Sequence, residues 1–373
     1  MWQAKEAQNS GIKVGLVCIG EGIGDSIICL KALFIAKNIF GARCVLFGTQ
    51  TAQTLCANFD FIDAIEVVPD IKQGYILPQN KDKDSVQNLR EVFNKHHLDY
   101  VVLGSPRATN IALLKSTNAK KILCALKFSS LFSLKCNTLP VYATKSYKTK
   151  CFEEILCLFV RLICPKTYDK HISSLDFSPL RLSTKQSHKD YIRDFLSPNI
   201  QQKHLIMINP FNISGQHSLS INAFLDIAMQ MGKGIFTDCI ALIATYPKVH
   251  NSFMEALNAY KKHRNTTLEN LLIFKNNDDI YNLIELLKRT TCLISPSTGT
   301  AHLAANLGIP TVALYSKRDI DRWLLGGGGH IARSYTKARY VFLEQNLAYL
   351  LANPAQEAQY VKQALNALDQ VLQ

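Results

Sequence analysis

Residues 294–316, ISPSTGTAHLAANLGIPTVALYS, carry the clearest structural signal in the chain. A strand end is followed by five small residues, then by a short apolar segment that stops at Gly308, and then by a second apolar run. Glycine after a periodic segment is typical of a helix C-terminus, and a short continuous apolar run is typical of a buried strand. The stretch therefore predicts strand, loop, helix and strand, as in an α/β fold.

The loop in this stretch places small side chains where the predicted helix begins. The first N–H groups of a helix have no partner inside it, and aligned peptide dipoles put roughly half a positive charge there. A phosphate or diphosphate is the ligand that such a position favours, although an ordinary loop of a doubly wound sheet is the alternative. One threonine is expected to cap the helix while the other faces the ligand. The predicted anion-binding residues are Ser297, Thr298, Gly299 and Thr300.

His302 falls in the first turn of the same helix. It is predicted either to face the anion or to be an ordinary structural histidine. Both interpretations stay open at the level of the sequence.

A second loop of related design lies near the start of the chain. Residues 14–19 form an apolar run, GEGIGD follows at residues 20–25, and residues 26–37 have helical apolar spacing. Alternating glycines indicate a backbone that turns tightly or lets another group approach. Asp25 thus lies where a strand passes into a helix, and its carboxylate is expected either to stabilise the helix N-terminus or to act as a base.

A nicotinamide-binding fold is disfavoured by the strand that follows. That fold needs an acid about 20 residues after its glycines, at the end of the second strand, to bind the ribose. Here the strand at residues 44–47 is followed by Gly48, Thr49 and Gln50. The early glycines therefore do not indicate a dinucleotide-dependent oxidoreductase.

Together, the two loops resemble the heptosyltransferase family, glycosyltransferase family nine. The family has an early Gly-Asp pair after its first strand, which is Gly24 and Asp25 here. It also has a late TGxxHLAAxLGxPTVALF segment, which is similar to residues 298–315. Weaker similarity at residues 103–115 and 206–217 extends the resemblance over residues 12–325.

The resemblance implies a GT-B architecture, in which two Rossmann-like, doubly wound α/β domains face each other across a cleft. It implies an inverting, metal-independent transfer of heptose from ADP-heptose to a lipopolysaccharide inner-core or related glycolipid acceptor. Asp25 is then the general base, and the late loop with His302 binds the donor diphosphate. Further donor contacts are expected at Ser214 and His217, and acceptor contacts at Gly24, Arg107 and Asn110. The expected partners are a nucleotide-sugar donor, which is a substrate, and an anionic glycolipid acceptor. No cofactor is expected.

Three departures from the family pattern concern the donor. Many members carry an acid just before the Thr-Gly pair, where this chain has Ser297. Many have a lysine in the loop that corresponds to residues 212–217, and an acid after the strand at residues 240–244; this chain has neither. A transferase for a UDP or GDP sugar, and a non-catalytic homologue that binds sugar nucleotide or glycan, therefore remain as alternatives.

The length of 373 residues predicts two domains, because it exceeds what one hydrophobic core usually supports. An acceptor-side domain is predicted at residues 12–177 and a nucleotide-sugar-binding domain at residues 198–373, with a linker at 178–197. Alternating strands and helices predict parallel sheets with right-handed crossovers in both. The helical segment from residue 343 is predicted to pack back across the domains.

Cysteine usage and the N-terminus predict a cytoplasmic protein. The eleven cysteines include no CxxC pair and are expected to be buried thiols in a reducing compartment. Residues 1–13 contain no apolar signal core, and no apolar run approaches the ~18 residues of a membrane span. A metal is not expected, although Asp319 and Asp321, like Asp82 and Asp84, form DxD pairs. Trp323 and the glycines at 326–329 are predicted to form a lip over the donor or a plain turn.

The net charge of +13 is concentrated in part between Lys115 and Lys150, where lysines alternate with leucine and phenylalanine. This mixture predicts a surface that contacts anionic lipid headgroups and acceptor phosphates, on the inner face of the cytoplasmic membrane. Nucleic acid is the rival partner, but the run matches no known binding motif and none is expected. A plain solvated lysine-rich face is the remaining alternative.

Overall fold

The computed structural model describes residues 11–68, 71, 74–77, 83–144, 150–196, 203–212, 216–323, 325 and 338–373. The chain divides into two compact units. The first comprises Met1–Leu180 with Asp321–Arg333, and the second comprises Arg181–Ile320 with Ser334–Gln373. Ser214, Asp82 and the glycines at 326–329 lie outside the described residues.

The first unit is built on a six-stranded parallel sheet with the order β3-β2-β1-β4-β5-β6. Its strands are β1 Lys13–Val17, β2 Arg43–Gly48, β3 Ala64–Val67, β4 Tyr100–Leu103, β5 Lys121–Ala125 and β6 Cys136–Leu139. Its helices are α1 Ile23–Phe40, α2 Gln50–Cys56, α3 Lys83–Asn94, α4 Ala108–Lys115, α5 Phe128–Leu131, α6 Phe152–Arg161 and α7 Pro165–His171. The central strands are apolar on both faces, as expected where helices cover a parallel sheet.

The second unit repeats this plan, with the order β12-β11-β10-β7-β8-β9. Its strands are β7 His204–Ile208, β8 Cys239–Thr245, β9 Leu271–Lys275, β10 Cys292–Pro296, β11 Thr311–Tyr315 and β12 Ala338–Phe342. Its helices are α8 Gln186–Phe195, α9 Ile221–Ala228, α10 Pro247–Arg264, α11 Ile280–Lys288, α12 Gly299–Leu307, α14 Leu347–Ala352 and α15 Pro354–Leu372. The helix α13, Lys317–Trp323, enters the first unit at Asp321.

Both strand orders reverse beside the first strand of the unit. In the first sheet β1 pairs with both β2 and β4, and in the second sheet β7 pairs with both β8 and β10. In doubly wound sheets, ligands bind beyond the carboxyl ends of the strands at such a reversal. The loops after β1 and β4, and those after β7 and β10, therefore occupy the two positions where this fold forms binding sites.

The structure confirms the predicted α/β class with two Rossmann-like sheets, and it adds two strands that the sequence did not predict. These are β6 and β12, the strands at one edge of each sheet. Edge strands are only partly buried, so Cys136–Leu139 and Ala338–Phe342 lack the apolar runs of the central strands. A pattern search for buried strands passes over such segments.

The unit boundaries differ from the predicted domain boundaries in two places. Helix α8 fills half of the predicted linker, and it packs with Phe195 against Phe274 of β9. Trp323, which the sequence assigns to a lip over the donor or to a plain turn, lies against Phe152 in the first unit, with 5.9 Å between the ring centroids. Aromatic packing thus draws the segment after Ile320 into the first unit.

The C-terminal helix packs on the core of the second unit. Tyr360, Ala364 and Leu368 of α15 are buried in the core formed by β7, β10 and α9. The Ser220 hydroxyl and backbone N–H both donate to Glu357, which fixes the start of α9 to this helix. The described helices include none long and apolar enough to cross a membrane.

Candidate active and donor-binding sites

Asp25 is the third residue of α1, directly after the loop that follows β1. Its Oδ2 accepts a hydrogen bond of 3.0 Å from the backbone N–H of Gly22. The carboxylate therefore caps the helix, as one of the two sequence interpretations predicts. Within the described part of the chain, Oδ1 has no hydrogen-bond partner.

Two glycines make room for this carboxylate. A Cβ atom at Gly20 would lie 2.5 Å from Asp25 Oδ2, and one at Gly22 would lie 2.9 Å from it. Both distances are shorter than real Cβ contacts, so a side chain at either position would displace the carboxylate. Gly24, a predicted acceptor contact, is buried within the first turn of α1.

Burial raises the pKa of Asp25. The N–H of Gly22 opposes this shift, and the negative charge of Glu21 adds to it. A carboxyl with a raised pKa binds a proton more readily than an ordinary aspartate, which suits a general base. The electrostatic environment of Asp25 is therefore compatible with the predicted role.

The loop after β4 lies beside the Asp25 loop, because β4 and β1 are paired. A Cβ atom at Gly104 would lie 2.5 Å from Ile19, so only glycine allows this approach. The guanidinium of Arg107 stacks on the ring of Tyr75 at 3.8 Å, and its Nη1 donates to the Tyr75 hydroxyl. Arg107 is thus held in one place at the reversal of the first sheet.

Asn110, predicted to contact the acceptor, lies in the first turn of α4. Its side chain is fully buried. Its amide donates to the carbonyls of Gly74 and Ser105, and its Oδ1 accepts from the N–H of Ile76. Because these bonds join the loop before α4 to residues 74–76, Asn110 positions Arg107 and Tyr75.

A cavity of about 440 Å³ opens beside Arg107 within the first unit. Its cationic lining residues are Arg107, Lys127, Lys150 and Arg322, and its aromatic lining residues are Tyr142, Phe152, Phe159 and Trp323. Asp321 is the one acid among the residues that line it. Such a cavity can bind an anionic group that also carries apolar surface.

In the second unit, the late loop has the predicted strand–loop–helix form. Helix α12 begins at Gly299, directly after β10, and ends at Gly308, which has a φ of 77°. Thr298 is the residue that precedes the helix, but its side chain makes no capping bond. The helix N–H groups nearest the loop are therefore not capped by Thr298.

The Thr298 hydroxyl is instead held by the strand next to it. Asn209, which follows β7, donates from Nδ2 to Thr298 Oγ1 at 3.0 Å and to Ser295 Oγ at 3.1 Å. The Oδ1 of Asn209 accepts from the N–H of Phe211. This buried network fixes the loop at the reversal of the second sheet. Sequence reasoning missed Asn209, although a polar residue directly after a buried strand is a usable signal.

His302 lies in the first turn of α12, and burial lowers its pKa to about 4. The imidazole is neutral at pH 7, so it supplies a hydrogen-bonding group and no charge. Thr300, Ser297 and Gly299 lie in or beside the same turn and are partly exposed. His217 is partly exposed, and its carbonyl accepts a bond from Asn212.

Further side chains gather at the carboxyl ends of β7, β8 and β9. Phe211 packs its ring against Tyr246 and against Phe253. Among the described residues, the buried Tyr246 hydroxyl and the buried Asn276 Oδ1 have no hydrogen-bond partner. Burial raises the pKa of Tyr246, and the nearby Asp278 adds to the shift. An acid, Asp278, thus follows β9, whereas the family resemblance predicts an acid after β8.

Known proteins resemble the chain in both sequence and structure. A family model, glycosyltransferase family 9 (heptosyltransferase), matches residues 276–339, which include β10, α12 and β11. No curated protein matches the chain significantly in sequence. The matched residues contain the late loop on which the family resemblance was based.

Solved structures match over nearly the whole chain. A glycosyltransferase family 9 protein from Veillonella parvula has a TM-score of 0.68 and 14% identity, and 97% of each chain is covered. ADP-heptose lps heptosyltransferase II from E. coli has a TM-score of 0.62 and 16% identity, and the match covers 96% of this chain and 98% of that one. E. coli heptosyltransferase WaaC with ADP has a TM-score of 0.57 and 13% identity, with coverage of 93% and 99%.

These likenesses define the class of protein: the chain has the GT-B type of fold and is a glycosyltransferase. The family model and the structural matches together support the heptosyltransferase family. The resemblance recognised in the two loops is thereby confirmed. The roles of the individual site residues stay predictions.

Proposed function

We propose that this glycosyltransferase moves a heptose from ADP-heptose to a lipopolysaccharide inner-core or related glycolipid acceptor, with inversion and without a metal ion. The observation that carries the proposal is the loop before α12. Asn209 fixes Thr298 at the reversal of the sheet, and the helix N-terminus at Gly299 favours a diphosphate. In addition, E. coli heptosyltransferase WaaC has been solved with ADP-2-deoxy-2-fluoro heptose, and its fold matches with a TM-score of 0.57.

The proposed reaction uses Asp25 as the base. Its carboxylate takes the proton from an acceptor hydroxyl, and the oxygen of that hydroxyl forms a bond to the anomeric carbon. The bond from this carbon to the diphosphate breaks on the opposite face, so the configuration inverts. The negative charge that develops on the leaving diphosphate is stabilised by the N–H groups at the start of α12.

The acceptor is proposed to be anionic because of the cavity beside Arg107. Three lining cations, Arg107, Lys127 and Lys150, belong to loops at the carboxyl edge of the first sheet. A guanidinium held by Tyr75 is well suited to a phosphate or carboxylate, because its orientation is already fixed before binding. The aromatic lining residues suit the sugar rings that carry such groups.

Two alternatives follow from the departures in the donor site. Ser297 stands where many relatives have an acid, and the loop at residues 212–217 has no lysine. Asp278 and the oxygens of Tyr246 and Asn276, which have no partner among the described residues, offer contacts to a nucleoside of another kind, so a UDP or GDP sugar is the second candidate. A non-catalytic homologue is the third candidate.

A donor screen distinguishes these candidates. The chain is heated with ADP-, UDP- and GDP-sugars in turn, and transfer to a heptose-deficient core glycolipid is followed by mass spectrometry in the presence and absence of a chelator. We expect stabilisation by the ADP sugar, addition of one heptose, and no effect of the chelator. Stabilisation by UDP or GDP sugars alone would make the second candidate correct. No response to any donor would contradict a transferase role.

A further inference from the structure

In the connection between β5 and β6, a serine is buried and the large apolar side chains are exposed, whereas most proteins bury their apolar side chains. This segment, residues 127–135, is named the apolar turn here. Ser130 is buried, and its hydroxyl bonds to the carbonyls of Ala125 and Lys127. Ser129 bonds to the carbonyl of Pro106. The serines therefore attach the turn to the protein, and the large apolar side chains point outward.

The outward side chains form one patch. Their exposed fractions are 84% for Phe128, 53% for Leu131, 78% for Phe132 and 96% for Leu134. The rings of Phe128 and Phe132 contact each other edge to face, with centroids 5.7 Å apart. Single exposed apolar residues are common, but adjacent ones of this size indicate a surface that is covered in use.

Cations surround this patch. Lys127 directly precedes Phe128 and lies 5.0 Å from the ring of Tyr142. The ammonium of Lys121 donates to the carbonyl of Leu134, and Lys135 follows that leucine. Residues 100–152 contain one arginine, eight lysines and no aspartate or glutamate. The patch therefore lies in a strongly positive part of the surface.

We propose that the apolar turn is a docking surface for an anionic lipid bilayer. Phenylalanine and leucine enter the boundary between headgroups and acyl chains, and the lysines contact the anionic headgroups. The occupant is a bilayer because the charge around the patch is of one sign and because the apolar side chains are largely exposed.

The position of the turn connects docking to the acceptor cavity. Lys127 both begins the turn and lines the cavity, and Ser129 bonds to the loop that contains Arg107. A glycolipid in the docked bilayer would have its headgroup next to these cations. Docking itself does not depend on the proposed function, because it requires only the surface of the first unit.

The test is flotation of the full chain with vesicles of phosphatidylcholine alone or mixed with phosphatidylglycerol. The triple variant Phe128→Ser, Phe132→Ser, Leu134→Ser removes the apolar patch. A matched control replaces three exposed apolar residues of the second unit: Ile235→Ser, Phe342→Ser, Leu351→Ser. A second variant, Lys115→Glu with Lys121→Glu, reverses charge in the basic surroundings while keeping the patch.

We expect the wild type and the control to float with the mixed vesicles and not with phosphatidylcholine alone. The triple variant should bind at least tenfold more weakly, and the charge variant should lose about fivefold or more per reversed lysine. Circular dichroism checks that each variant is folded. Equal binding by the triple variant would overturn the proposal. So would a wild type that stays with the aqueous fraction, or a wild-type dimer that only the triple variant dissociates.

Discussion

Asn209 Nδ2 lies 3.0 Å from Thr298 Oγ1, and this hydrogen bond joins residues that are 89 positions apart in the chain. The same amide also reaches Ser295, so one side chain ties the end of β7 to both sides of the loop after β10. Side-chain amides with all their bonds made are rigid. The shape of the loop at the start of α12 thus depends on a residue in the neighbouring strand connection.

Replacing Asn209 with alanine should loosen this loop. We expect about tenfold weaker binding of ADP, because the N–H groups at Gly299 no longer have a fixed direction, and a loss of about 1 to 2 kcal/mol in the free energy of unfolding. Isothermal titration calorimetry and urea unfolding measure the two effects. Thr290→Ala, which removes another buried side-chain hydrogen bond of the second unit, is the control that should lose stability without losing affinity. Unchanged ADP affinity in Asn209→Ala would contradict the positioning role.

Asp25→Asn should lower turnover without lowering the stability of the fold. Asparagine retains an oxygen that accepts the Gly22 N–H, but it cannot take a proton from the acceptor. We expect kcat to fall by about 10² to 10⁴ with an unchanged donor affinity. The free energy of unfolding at pH 7 should stay equal or rise, because burial raises the pKa of Asp25 and makes its charge unfavourable. Asp25→Ala, which loses the cap, should be less stable by about 1 kcal/mol.

The pH profile provides an independent check on this base. The base must be ionised, so kcat/KM should rise with pH through the pKa of Asp25, which burial places above its ordinary value. Glu21 contributes a like charge, and Glu21→Gln should therefore move the rise to lower pH. A profile that is the same in the Glu21→Gln variant would indicate that another group limits the rate at low pH.

His302 should make the fold sensitive to mild acid. Its pKa in the folded chain is about 4, whereas an unfolded histidine has a pKa of about 6.5. The unfolded state therefore binds the proton first, and stability is lost as the pH falls from 6.5 towards 4. Part of the side chain is exposed, so we expect a loss of about 1 to 3 kcal/mol that His302→Asn removes. Urea unfolding at pH 7 and pH 4 measures it, with the exposed His204→Asn as the control.

Local sequence patterns predicted the central strands and helices because the residues that determine them are neighbours in the chain. Helix α12 is bounded by Thr298 and Gly308 as its residues predict, and Asp25 lies between strand and helix as its loop predicts. The strands β6 and β12 were missed because Cys136–Leu139 and Ala338–Phe342 are short segments that mix polar with apolar residues.

Contacts between distant residues could not be predicted in this way. Asn110 was expected to face an acceptor, yet its amide bonds to Gly74, which is 36 positions earlier. Asn209 was overlooked, yet it organises the donor loop. A polar residue near a loop has the same appearance in sequence whether its partner is a ligand or a remote backbone group. The fold is required to distinguish the two.

The buried pair of Lys31 and Glu153 should couple α1 to α6. Their charged atoms lie 3.0 Å apart, and the lysine side chain is almost fully buried beside the ring of Phe177. Lys31→Met leaves the Glu153 charge without this partner, and we expect a loss of about 3 kcal/mol. The double variant Lys31→Met, Glu153→Gln should lose less than the sum of the two single variants.

Salt distinguishes this pair from an exposed one. Burial shields the Lys31–Glu153 pair from ions, so its coupling energy in a double-mutant cycle should persist in 1 M NaCl, where the Debye length is about 3 Å. Arg193 and Asp190 form an exposed pair on α8 at 2.7 Å and serve as the comparison. Their coupling should be about 0.5 kcal/mol or less and should vanish in salt. Strict additivity at Lys31 and Glu153 would show instead that packing of the lysine stem, rather than its charge, holds α6 against α1.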